Sequence, residues 1–209
     1  MPTPDFWNAR YAEPGWAYGE APNAFVAAQT HRFAPGDAVL DLASGEGRNA
    51  AFLAGRGLRV TAVDSSAEGL AKTARLPGGD AVETICADLA TWSPDREWDG
   101  TVATFLHVPA DLRPALFRRI QTWLRPGGLL VAEWYRPEHR ARGLGGGPMD
   151  ATMMVSADEL RGAFHAAGVL LLEEADVTLD EGAYHVGPSA VVRFVWRRPG
   201  GAPESGGGA

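Results

Sequence analysis

The chain has 209 residues, 45% hydrophobic and 22% charged, an ordinary globular balance that supports one sizeable core. A net charge of −7, with basic residues doubled only at Arg118-Arg119 and Arg197-Arg198, argues against a nucleic-acid partner, which would draw on a basic stripe. No run approaches the roughly 18 consecutive apolar residues of a membrane span, and Met1 to Asp5 lacks the basic-then-apolar pattern of a signal peptide, so a cytoplasmic protein without membrane contact is expected.

In chain order, residues 1–34 read as an aromatic-rich segment, Phe6 to Gly19, followed by a helix that Asn23 caps and that runs to about Phe33. After the Pro35-Gly36-Asp37 turn, apolar strand patterns and helical patterns alternate. The strands are Ala38 to Leu42, Arg59 to Val63, Val82 to Ala87, Gly100 to Phe105 and Leu129 to Trp134. Helices are expected from Arg48 to about Gly55, Ser66 to about Arg75 and Ala110 to Leu124. Ser156-Ala157-Asp158-Glu159 opens a further helix with a capping pattern. Two last strands, Val169 to Val177 and Ala190 to Trp196, flank a polar connection from Leu179 to Pro188. The fold class is therefore α/β: a single Rossmann-like, doubly wound seven-stranded sheet, mostly parallel with an antiparallel edge hairpin. One domain over 1–198 is expected, with a Gly-rich disordered tail over 199–209. Gly145-Gly146-Gly147 marks a long loop after the fifth strand. Cys86, the single cysteine, sits in an apolar strand pattern and is expected to be buried and inert; no disulfide can form within the chain. The five histidines show neither paired helical spacing nor cysteine partners, so no metal site is expected.

The most informative stretch is Val39-Leu40-Asp41-Leu42-Ala43-Ser44-Gly45-Glu46-Gly47-Arg48-Asn49: a strand ending in an acid, a glycine turn and a helix start. Such a turn brings bare backbone N–H groups beside a ligand above the strand. Gly45-Glu46-Gly47-Arg48-Asn49-Ala50 also fits a dinucleotide fingerprint, but Asp41 and Glu46 would repel a pyrophosphate. Asp64 and Asp88 close the next two strands. Three strand-end carboxylates suit a ligand with positive charge and ribose hydroxyls, and S-adenosylmethionine is that kind of ligand. An acid after the third strand accepts from an adenine amine or faces solvent beside it.

These residues resemble the class I S-adenosylmethionine-dependent methyltransferases, and within them the bacterial group related to tellurite-resistance and thiopurine methyltransferases. Asp41 to Gly47 matches the D-x-G-x-G-x-G loop with Ala43 in place of the first glycine, and Gly47-Arg48-Asn49 is similar to the G-R-N run of the bacterial group. Leu124-Arg125-Pro126-Gly127-Gly128 resembles the turn before strand five; Trp7 to Tyr11 and Tyr18 to Asn23 resemble the aromatic entry segment. The resemblance implies that Asp41, Ala43 and Gly45 line the methionine moiety, Asp64 and its neighbour Ser65 the ribose, and Asp88, Ala87 and Leu89 the adenine. Asn49 joins the cofactor site, Arg48 contacts either the cofactor or an acceptor anion, and the N-terminal aromatic segment, Tyr18 foremost, forms a lid over the cofactor. It also places His107, beyond strand four, and His185, in the last connection, on the acceptor as catalytic candidates. Glu133, ending strand five, is a further proton carrier or else a partner of Arg136 or Arg142; Trp16 and Trp134 are the tryptophans closest to interest.

The expected activity is thus methyl transfer to a small molecule, with the bacterial group implying a thiol or a chalcogen oxyanion. A non-catalytic S-adenosylmethionine-binding regulator and a nicotinamide-dependent oxidoreductase stand as alternatives. Oligomeric state is not legible in the sequence.

Overall fold

A computed structural model describes residues 3–200, so most of the expected tail lies outside the described residues. The elements are α1 (Pro4–Ala12), α2 (Ala24–Gln29), β1 (Ala38–Leu42), α3 (Arg48–Ala54), β2 (Arg59–Asp64), α4 (Ala67–Thr73), β3 (Glu83–Cys86), β4 (Trp98–Thr104), α5 (Arg113–Trp123), β5 (Leu124–Tyr135), α6 (Pro137–Ala141), α7 (Ala157–Ala163), β6 (Val169–Glu181) and β7 (His185–Arg197). The strands form one seven-stranded sheet in the order β3-β2-β1-β4-β5-β7-β6. Pairings from β3 to β5 are parallel, whereas β7 runs antiparallel to both β5 and β6. The expected α/β sheet with an antiparallel edge hairpin is what forms.

Alternation along β1 sets the two layers. Leu40 and Leu42 face a core built with Phe117, Ile120, Leu160 and Phe164 of α5 and the α7 region. Val39 faces the opposite core, with Phe25, Val26, Ala50 and Leu53 of α2 and α3. Asp41, two residues from Val39, points to that same second side and is 1% exposed.

Local chemistry accounts for the helix starts. Asn23 Oδ1 accepts from Val26 N–H at 3.0 Å, Ser66 Oγ from Gly69 N–H at 3.1 Å, and Ser156 Oγ from Glu159 N–H at 3.1 Å. The helix capped by Asn23 stops at Gln29 instead of reaching Phe33, passing into a single 3-10 turn, Thr30–Arg32. There the Thr30 hydroxyl donates to Val26 O at 3.0 Å and competes with the helical ladder.

Three expectations are corrected. Cys86 is exposed, because β3 is the edge strand of the sheet and its pattern is mostly open to solvent. The polar stretch 179–188 is no long connection: β6 and β7 pair through it and turn tightly, with Glu181 opposite His185. Glu133 is neither a free proton carrier nor a partner of Arg136 or Arg142; it accepts from Arg193 Nε and Asn23 Nδ2, both at 2.7 Å, at 1% exposure.

The hairpin tip meets the N-terminal segment backbone to backbone. A Cβ at Gly182 would lie 2.3 Å from Gly19 N, so only glycine permits the approach. Glu46 ties the same segment down from below: Oε2 accepts from Ala17 N–H at 2.8 Å and Oε1 from Lys72 Nζ at 2.8 Å. Helix α1 docks on α4, where Ser66 Oγ donates to Asn8 Oδ1 at 2.6 Å.

Among the described residues, two non-glycine residues hold positive φ: Ala43 at 52° and Phe105 at 53°. They follow β1 and β4, so the strained backbone sits at the carboxyl edge of the sheet. Ala43→Gly should raise the urea midpoint by the equivalent of about 0.5–1 kcal/mol with an unchanged m-value, because relief of left-handed strain exceeds glycine's added chain entropy. A lower midpoint would mean that packing of the Ala43 methyl dominates.

Candidate functional site

One cavity of about 690 Å³ opens above the carboxyl ends of β1, β2, β4 and β5, where ligands bind in open α/β sheets. The structure brings together on its wall Tyr18, Ala43, Gly45, Arg48, Asn49, Asp64, Ser65, Ala87, Asp88 and Leu89, and also His107 and His185. Asp41 is the member of the expected set that is not on the wall. It lies under the start of α3, near the Ala50 backbone N–H, and among the described residues neither carboxylate oxygen makes a well-aligned hydrogen bond. Burial pushes its carboxyl up to about 7, against the pull of the Arg48 charge.

The glycine loop is not a set of bare donors. Ser44 N–H donates to Val63 O at 3.2 Å, Gly45 N–H to Asp64 Oδ2 at 2.8 Å, and Gly47 N–H to Ser44 O at 2.9 Å. Asp64 Oδ1 meanwhile accepts from Ser66 N–H at 2.8 Å. Each Asp64 oxygen keeps a second lone pair, enough for a diol above it, while the loop has no vacant nest for a pyrophosphate at those three positions. Glu46 repels nothing in the cavity directly, being buried and neutralised by Lys72 at 2.8 Å. Asp88 is exposed and spends one oxygen on Ala90 N–H at 2.8 Å.

The N-terminal aromatic segment supplies a wall of which Tyr18 is one member. Phe6, Trp7, Arg10 and Tyr11 all line the cavity. The Arg10 guanidinium sits 4.0 Å from the Tyr184 ring centroid and donates to Tyr18 Oη at 3.0 Å; among the described residues it forms no ion pair. Of the watched tryptophans, Trp134 is core and donates to Leu106 O at 2.9 Å, and Trp16 lies 5.8 Å from Lys72 Nζ.

At the other end stand Phe105, His107, Tyr135 and His185. The His185 ring is gripped between Phe105 and Tyr18, with centroids at 4.2 and 4.4 Å. Its Nδ1–H faces Glu181 Oε2 at 3.4 Å, and Arg48 donates to the same oxygen at 2.7 Å. Burial pushes the imidazole below its ordinary value despite the Glu181 hydrogen bond, so the ring is neutral and its Nε2 carries a lone pair. For Glu181, burial alone would raise the carboxyl; the His185 and Arg48 contacts outweigh it and hold it below its usual range. His107 donates from Nδ1 to Met153 O at 3.1 Å, and its Nε2 is sealed with no partner. Burial pushes its imidazole down to about 3, which leaves it no proton-accepting role near neutral pH. Glu181, Arg10 and Tyr135 went unnoticed in the sequence because their roles depend on a hairpin and a docked helix rather than on spacing.

Residues 39–128 match the family described as a methyltransferase domain. A trans-aconitate 2-methyltransferase of Azoarcus sp. (strain BH72) is 40% identical over 114 residues, covering 49% of this chain and 42% of that protein. The chain thus spans less than half the length of this curated relative. Among solved structures, the N-methyltransferase NodS from Bradyrhizobium japonicum WM9 in complex with S-adenosyl-L-homocysteine has a TM-score of 0.68 at 12% identity, covering 93% of this chain and 97% of that one. TehB from Haemophilus influenzae also scores 0.68 at 17% identity, covering 93% of this chain and 66% of that one. These structural likenesses concern the fold. The domain match is confined to residues 39–128, a span that holds the glycine loop, Asp64 and Asp88.

The Asp41 and His107 shifts have opposite consequences for stability. Asp41 keeps its proton in the fold to about pH 7 but loses it near 3.8 when unfolded, so its contribution falls as pH rises through that window. Relative to the parent, Asp41→Asn should therefore gain up to about 4 kcal/mol between pH 4 and pH 8 in urea unfolding. His107 works the other way: the fold is penalised as pH drops below 6.5, fully so below about 3. His107→Phe should flatten that acid limb by about 1–2 kcal/mol between pH 6.5 and 5, with parallel curves for parent and variant contradicting the assignment.

Proposed function

We propose that the protein transfers a methyl group from S-adenosylmethionine to a small-molecule acceptor, with the cofactor along Asp64, Asp88 and the glycine loop and the acceptor beside His185. The observation that supports this most directly is the division of the cavity. One half carries acids suited to hydroxyls and an adenine amine, and the other carries aromatic rings around a neutral imidazole.

The residues fit the cofactor chemically. Asp64 has a free lone pair on each oxygen for a ribose, Ala87 to Leu89 offer backbone beside an adenine, and Arg10 is a cation available to the methionine carboxylate. When bound, the cofactor supplies a sulfonium methyl: the acceptor lone pair forms the new bond as the carbon–sulfur bond breaks and its electron pair stays on sulfur. Tyr18, Tyr184 and Phe105 exclude water around the reacting atoms. Glu181, steadied by Arg48, fixes the His185 tautomer so that Nε2 accepts a hydrogen bond from an N–H, O–H or S–H on the acceptor, orients its lone pair and takes that proton as the new bond forms. His107 shapes the wall and holds Met153 through its carbonyl.

The bacterial-group resemblance implies a thiol or a chalcogen oxyanion. A protonated thiol suits His185 Nε2, whereas an oxyanion would need a cation that Arg48 does not offer, being paired with Glu181. A regulator that binds without turnover would retain the cofactor half alone.

Calorimetry should show S-adenosylhomocysteine binding and no appreciable NADH binding; the reverse would remove the methyltransferase reading. Asp64→Ala should weaken S-adenosylhomocysteine by about 2–3 kcal/mol, with Asp64→Asn milder because the amide keeps one acceptor. Unchanged affinity in both would mean that the acid serves only the loop. His185→Ala should lower turnover at least tenfold while S-adenosylhomocysteine affinity stays within about tenfold, the mark of an acceptor-side contact.

A further inference from the structure

We infer that the acceptor half of the cavity is built for an uncharged, ring-bearing molecule with a single hydrogen-bond donor, and that it discriminates against anions. This rests on the methyltransferase reading above and names the substrate class for the same site.

The lining carries the chemistry. Phe105 and Tyr135 stand 4.8 Å apart between centroids, and His107 lies nearly parallel to Tyr135 at 5.7 Å with an 18° interplanar angle. With His185 edge-on to both Phe105 and Tyr135, the rings form a wall of π-faces suited to another flat ring. Aliphatic and thioether groups of Leu112, Leu116 and Met153 also line the cavity. The mouth is apolar as well. Of the five large hydrophobic side chains exposed among the described residues, Phe6, Leu112 and Met149 lie on this cavity, Met149 being 84% exposed. Apolar side chains left in water around an opening fit an apolar entrant.

Charge on this half is already spent. Arg48 is held by Glu181 at 2.7 Å, and Arg119 is saturated by the carbonyls of Leu89, Ala90 and Trp92. Arg10, against Phe6, Tyr18 and Tyr184, carries a charge that reaches His185, and in the reading above it is taken by the methionine carboxylate once cofactor is bound. Both imidazoles are neutral. The rim acid Asp150 caps its own turn through Thr152, and Glu181 is committed to Arg48 and His185. With cofactor bound, a carboxylate or oxyanion entering here would lose water and gain no counter-charge. His185 Nε2 then accepts from a donor on the ring, beside the unpartnered Tyr135 Oη.

The test uses the full chain saturated with S-adenosylhomocysteine and the matched probes 2-naphthol and 2-naphthoate, followed by tryptophan fluorescence and calorimetry near pH 7. We expect 2-naphthol to bind at least tenfold more tightly than 2-naphthoate, and tellurite not to bind. Leu112→Arg, at a partly exposed position on the wall, should shift the preference at least tenfold toward the naphthoate, whereas His185→Ala should weaken 2-naphthol. Equal or tighter binding of the naphthoate by the parent, binding of neither probe at millimolar concentration, or binding of tellurite overturns the inference. Failure of S-adenosylhomocysteine to bind in the first titration is a separate result, and it would remove the methyltransferase reading itself.

Discussion

Asn23 is the joint on which the site depends. At 1% exposure it caps α2 with its own oxygen, donates its backbone N–H to Asn49 Oδ1 at 2.9 Å, and gives its two amide protons to Glu133 at 2.7 Å and Glu181 at 3.0 Å. Both amide protons, the amide oxygen and the backbone N–H of one residue thereby tie α2, α3, β5 and the β6–β7 hairpin together. Buried carboxylates so far from water persist only because each finds donors: Glu133 has Asn23 and Arg193, and Glu181 has Asn23, Arg48 and His185. The hairpin tip is consequently placed over the sheet by polar satisfaction rather than by apolar burial alone.

From this joint the cavity acquires two unlike halves. Toward β2 and β3 the wall is made of acids and loop backbone, with Asp64 serving both the glycine turn and the space above it. Toward β4, β5 and the hairpin it is made of rings whose ionisable members are held neutral by burial. Glu46, inside the glycine loop, spends its carboxylate on Lys72 and on the Ala17–Tyr18 backbone, so the loop that follows β1 also fixes the aromatic cover. The strained backbones of Ala43 and Phe105 both line the cavity, one following β1 and the other the adjacent β4.

Much of this was legible in the amino-acid order. The strand and helix periods from Ala38 to Trp134, the Asn23 and Ser156 caps, and the acids Asp64 and Asp88 at strand ends all rest on local pattern, which survives folding unchanged. Reading failed where the partner lay far along the chain. Glu133 pairs with Arg193, sixty residues on, because β7 inserts beside β5; the nearer Arg136 and Arg142 go to Asp176 instead. Cys86 was misplaced because periodicity cannot tell an edge strand from a central one.

The sequence by itself determined the α/β class, the parallel sheet with its antiparallel end, and the glycine turn after β1, because these follow from residue periodicity, turn residues and the positions of charge. Only the tertiary structure decided which groups face the cavity and in what protonation state. Asp41 and Asp64 are equivalent as letters at strand ends, yet one is sealed beneath α3 and the other lies on the wall. His107 and His185 are likewise equivalent in sequence, but one has its lone pair sealed away and the other is held by Glu181. Burial and long-range partners set those differences, and both come into existence only when distant segments pack.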